Sequence, residues 1–77
     1  MTTPTNLPAD PEQQNDARAK WAQRALDAFQ RDTGTDDSDA IADLLCDLMH
    51  LCDRNGTCFD VELDRARMYY RDETEEW

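Results

Sequence analysis

Apolar residues recur along this chain at intervals of three and four, never at two. Ala17, Trp21, Ala22, Ala25, Leu26 and Phe29 trace one face of a first helix that runs to about Thr33, the spacing that a 3.6-residue turn requires. Asp10-Pro11 predicts its start, because Asp accepts orphan N–H groups and Pro is tolerated at the first helical position; Gly34 predicts its stop. A second helix begins in the cluster TDDSD, residues 35–39, whose side chains can cap N–H groups. It carries the stripe Ile41, Leu44, Leu45, Leu48, Leu51 and Cys52, flanked by Ala42, Cys46 and Met49. That apolar arc is wide for a single contact, which predicts the central helix. Asn55-Gly56 ends it by left-handed turn chemistry. A third helix is expected from an Asp60 cap, with Phe59 stapled onto its first turn, through Leu63, Ala66, Tyr69 and Tyr70 to about Arg71. No stretch alternates as a strand would. The fold expected is all-α, a compact three-helix bundle.

Residues 1–9 hold Pro4, Pro8 and polar residues without periodicity, and read as a flexible tail before a single domain over 10–77. The opening residues lack the basic and apolar regions of a secretory signal, and no apolar run approaches the roughly 18 residues of a membrane span. Three cysteines form no paired framework, which suits a reducing compartment. A cytoplasmic protein is expected. At 77 residues, with 39% hydrophobic residues and much of that alanine, a lone chain has little to bury. A homodimer is expected.

Charge changes the picture most. The net charge is −10, which disfavours direct contact with nucleic acid or anionic membrane and favours basic partners. Residues 36–77 hold thirteen acids against four arginines, whereas residues 1–35 hold five acids against four bases. Asp39, Asp43 and Asp47 recur every four residues with no base between Asp36 and Arg54. Like charges at that spacing cost a few tenths of a kcal/mol per pair, so the row works mildly against its own helix. It reads in three ways: a divalent-ion site, an imitation of nucleic-acid phosphates, or the solvated side of a packed helix. Four residues rise ~6 Å, against ~3.4 Å between phosphates of one DNA strand. A mimic therefore needs a second row, for which Asp60, Asp64, Glu73, Glu75 and Glu76 are the candidates.

Other chemistry finds little support. The stretch DRNGTCFDVE places Gly56 fourth from Asp53, where a calcium loop wants glycine sixth. Cys46 and His50 are four apart, but no cysteine pair has zinc spacing; Cys46 and Cys52 read as small core residues. No hydroxyl nucleophile neighbours His50 in sequence. No catalytic residue, metal ligand or cofactor is predicted.

The run IADLLCDLMHLCDRNG…FDVELDRARMYY, within residues 39–70, resembles short acidic proteins encoded on proteobacterial plasmids, prophages and integrative elements. The resemblance implies a neighbourhood of small host-defence inhibitors such as anti-CRISPR proteins. The same acidic helix, glycine turn and "FD…L…A" helix resemble half of the all-α nucleoside-triphosphate pyrophosphohydrolases, which implies a Mg²⁺-dependent hydrolase. Their E-x-x-E helix has no counterpart, since Glu12 is followed by Gln13 and Gln14. The expectation is a non-enzymatic protein that occupies the basic, nucleic-acid-binding surface of a larger protein or complex. Asp36, Asp39, Asp43, Asp47, Asp60 and Asp64 would supply charge, and Tyr69 and Tyr70 the anchors. The alternatives are the hydrolase and a dimeric structural or regulatory protein.

Overall fold

A computed structural model describes residues 7–75. Three helices occur in order, α1 (Asn15–Thr33), α2 (Ala40–Asn55) and α3 (Phe59–Thr74), and the described residues contain no strand. The all-α three-helix fold is the one the periodicity predicts. α2 packs on both α1 and α3 and is the central helix. The tail expected over residues 1–9 falls for residues 1–6 outside the described residues; Leu7 and Pro8 line a cleft between α1 and α3.

The first helix begins later than Asp10-Pro11 suggests. Residues 10–13 form a turn, with the Gln13 N–H donating to the Asp10 carbonyl at 3.0 Å and Gln13 held at φ 56°. Pro11 suits the second position of a turn as well as the first of a helix, and here the turn wins. Asp10 still serves the helix: its carboxylate accepts the N–H groups of Gln14 at 3.1 Å and Asn15 at 3.3 Å. The stops fall where glycine places them. Gly34 (φ 73°) and Gly56 (φ 77°) take the left-handed conformation and donate back to Gln30 and Cys52 carbonyls.

The entry to α2 is capped by Asp36 rather than Asp39. One Asp36 carboxylate oxygen accepts both the Asp39 N–H at 3.2 Å and the Ser38 hydroxyl at 2.8 Å. Asp37 accepts from the Gln30 amide at 2.8 Å, which ties the turn to α1. At the start of α3, Cys58 occupies the cap position without a side-chain bond, and Asp60 lies inside the first turn. Its role there is to face the positive end of the helix dipole, not to cap.

The interior is shallow. Ala40 is the one fully buried hydrophobic residue among those described. Leu26, Phe29, Leu44, Phe59 and Leu63 are half-buried along the inner faces, and Cys52, ~80° round α2 from Leu44, is half-buried at their edge. Trp21, expected as an anchor of α1, is 58% exposed. It sits five residues before Leu26, ~140° around the helix, which turns it off the inner face. Cys46, expected in the core, is exposed, because the inner face of α2 runs through Ala40 and Leu44 and leaves position 46 on the other side.

Candidate interaction surface

α2 presents two parallel stripes with the same four-residue repeat. Asp39, Asp43 and Asp47 form one; Ile41, Leu45 and Met49 form the other. Each aspartate stands two residues before its apolar counterpart, and two residues turn a helix by ~200°. The stripes therefore occupy nearly opposite sides of one helix, with Ala40 and Leu44 between them against the rest of the fold.

The acidic stripe is open. Asp39, Asp43 and Asp47 are exposed, and among the described residues none of their carboxylates accepts a hydrogen bond or forms an ion pair within 4 Å. Asp39 occupies the N-cap position with no side-chain cap bond, and Asp43 lies in the first turn, where a negative charge is favoured. Asp47 lies deeper, beyond the reach of the dipole, next to Asp43 at one turn's spacing.

The second row expected from α3 and the C-terminal residues is broken up by arginines. Asp64 pairs with Arg67 at 3.7 Å and Glu75 with Arg71 at 4.0 Å. Glu73 pairs with Arg18 at 3.3 Å. Asp60 stands exposed at the start of α3, and Glu76 lies outside the described residues. Asp16, Asp32, Asp53 and Asp72 are likewise exposed with no ion pair within 4 Å among the described residues, but they stand singly, whereas Asp39, Asp43 and Asp47 form a run at one-turn spacing. Asp36, grouped with that row from sequence, spends its carboxylate on the turn.

The two neighbouring tyrosines diverge. The Tyr69 hydroxyl accepts from an Arg65 Nη at 3.0 Å, and the same guanidinium lies 5.9 Å from the ring centroid. Arg65 also pairs with Glu62 at 3.2 Å. The Tyr69 hydrogen bond first, and the Glu62 charge after it, hold the Arg65 guanidinium above its ordinary pKa. Tyr70, one residue and ~100° on, faces a cleft of about 470 Å³ between the start of α1 and the end of α3, lined also by Ala19, Ala22 and Thr74. Both tyrosines remain exposed.

Among the described residues no three His, Cys, Asp or Glu side chains converge as a metal-ligand set. Glu12 is spent on Arg18 at 3.0 Å. None of the three helices is long and apolar enough to cross a membrane. Compared with known proteins, the chain matches no family model, no curated protein and no solved structure.

Proposed function

We propose that this protein is a non-enzymatic inhibitor that lays the acidic side of α2 on a basic, nucleic-acid-binding surface of a larger protein. The observation that carries the reading is the open stripe itself: three exposed carboxylates, ~6 Å apart along one helix, without a cation among the described residues. Elsewhere on the helices, Glu62, Asp64, Glu73 and Glu75 each have an arginine within 4 Å, and exposed carboxylates without one, among them Asp16, Asp32, Asp53, Asp60 and Asp72, form no such run. A row left bare at some cost to its helix is well suited to a partner that brings the arginines or lysines. One such row has about half the linear charge density of a DNA strand, so it matches a file of basic side chains rather than a whole duplex groove. On the resemblance expected from sequence for residues 39–70, the target would be a host-defence protein and the inhibitor of the anti-CRISPR type.

The test is capture of partners from a host lysate with the parent protein and with Asp39→Asn/Asp43→Asn/Asp47→Asn. The reading requires a captured nucleic-acid-binding protein that the triple variant fails to hold. It also requires that DNA or RNA displace the parent and that affinity fall steeply with salt, as exposed charge attraction is screened beyond ~10 Å at 0.1 M. Equal affinity and salt slope for parent and triple variant would leave the stripe as solvated surface and sink the reading.

A further inference from the structure

The other side of α2 asks for a different occupant. Ile41 is 66% exposed, Leu45 44% and Met49 49%. With Ala19, Ala22, Gln23, Leu26 and Leu44, the first two of these line an open groove between α1 and α2. No charged side chain lines it. We propose that a second copy of this chain covers this groove and the Ile41–Leu45–Met49 stripe, joining two α1–α2 hairpins into a four-helix layer pair.

Exposed apolar surface is the first argument. Among the described residues Ala40 is the one fully buried hydrophobic residue, while Ile41, Leu45 and Met49 stand exposed in a single row beside the groove; contiguous apolar surface of this kind marks an association face. Shape agrees: the backbone measures 39 × 32 × 16 Å, so its thin dimension accommodates little more than one helix packed on another at the usual 8–10 Å spacing. A second copy laid on the groove adds the missing layer.

Charge selects the copy over a foreign basic partner. A basic surface would find no carboxylate in the groove, because the acidic stripe lies ~200° away around α2. For the same reason two chains of net charge −10 can meet here without pressing their aspartates together. Lys20 and Asp27, next in sequence to Ala19 and Leu26, give the α1 rim both signs. The stripe is also self-complementary: with α2 antiparallel to its mate about a two-fold axis near Leu45, Ile41 meets the second copy's Met49, and Leu45 meets Leu45. That is an isologous contact, the commonest kind in soluble oligomers.

Sedimentation equilibrium of the full chain at micromolar concentration tests this directly. The expected mass is twice 8.9 kDa. Leu45→Asp, which sets like charges face to face across the axis, should weaken association at least ~100-fold, while Asp43→Asn on the opposite side should leave the dimer intact. Because Leu45→Asp could also unfold the chain, a second variant is needed. Leu45→Cys in a Cys46→Ser/Cys52→Ser/Cys58→Ser background, oxidised with oxidised glutathione, should give a covalent dimer. A parent that sediments as a folded monomer throughout overturns the proposal. So does a dimer that ignores Leu45→Asp and yields no cross-link. Neither result touches the acidic stripe, whose test stands apart.

Discussion

Arg18 near the start of α1 holds Glu73 near the end of α3, Nε to Oε2 at 3.3 Å. The pair closes the open ends of a fold in which α2 otherwise makes the helix–helix contacts. The same guanidinium donates to Asn15 at 2.7 Å and Glu12 at 3.0 Å. Asn15 in turn donates through Nδ2 to the Glu73 carbonyl at 2.9 Å, one of the acceptors that a helix C-terminus leaves without an internal partner. Both charged side chains are about two-thirds buried, so the pair is less screened than a surface one. Arg18→Ala should cost about 1–2 kcal/mol in urea unfolding, and Glu73→Gln about half that. Equal midpoints for Arg18→Ala and the parent would show that the clasp contributes nothing.

Gly56 offers a cleaner backbone test. An added Cβ would meet no atom within 4 Å, so only φ 77° constrains the position. Gly56→Ala should cost about 1 kcal/mol, and Gly56→Asn noticeably less, because Asn tolerates the left-handed conformation. Thermal melts of both variants decide it: an Ala variant as stable as the Asn variant contradicts the account.

These two features differ in how far local sequence discloses them. Asn55-Gly56 and Gly34 announce helix ends because the left-handed stop is a single-residue property. Asp10-Pro11 is ambiguous, since the same pair opens a turn or a helix, and the choice depends on the conformation that Glu12 and Gln13 adopt after it. Arg18 and Glu73 lie too far apart in sequence for any spacing rule to join them. The acidic stripe is visible as a four-residue repeat. Its isolation is not, because whether α3 carboxylates are free or paired depends on where Arg67, Arg71 and Arg18 point. Trp21 and Cys46 escape correct placement for a related reason: with alanine on both flanks of α1 and cysteine beside leucine on α2, the apolar arc is too broad to mark the inner edge.

The three aspartates should not respond alike to neutralisation. Asp43 stands in the first turn of α2, where the dipole offsets its repulsion from Asp39 and Asp47; Asp47 gains no such offset. Asp47→Asn should raise stability by a few tenths of a kcal/mol, and Asp43→Asn should leave it nearly unchanged. High salt should erase the difference. A gain from Asp43→Asn larger than from Asp47→Asn would contradict the dipole argument.

Chelator should leave the helical signal and the melting temperature unchanged, as no three candidate ligands converge among the described residues. Mg²⁺, Mn²⁺ or Zn²⁺ that raised the melting temperature by several degrees would point instead to a bound-ion state, through mass-action stabilisation of the folded form. It would favour the hydrolase-like alternative over a binding protein.

Two cysteines make the two sides of α2 separately observable without any substitution. Cys46 comes seven residues after Asp39 and Cys52 seven after Leu45, and seven residues return a helix to within ~20° of the same side. Cys46 therefore reports on the acidic stripe and Cys52 on the apolar one. Cys46 is exposed and Cys52 half-buried, so in dilute solution a small neutral alkylating reagent should modify Cys46 faster. Raising the protein concentration through the micromolar range should slow Cys52 further as a second copy covers Leu45, while Cys46 keeps its rate. A basic partner should do the reverse, protecting Cys46 and leaving Cys52 unchanged, with the protection lost at high salt. Mass spectrometry of the alkylated peptides reads both rates in one sample. Protection of Cys46 by concentration alone would place the self-contact on the acidic side and contradict the division of α2 into two faces.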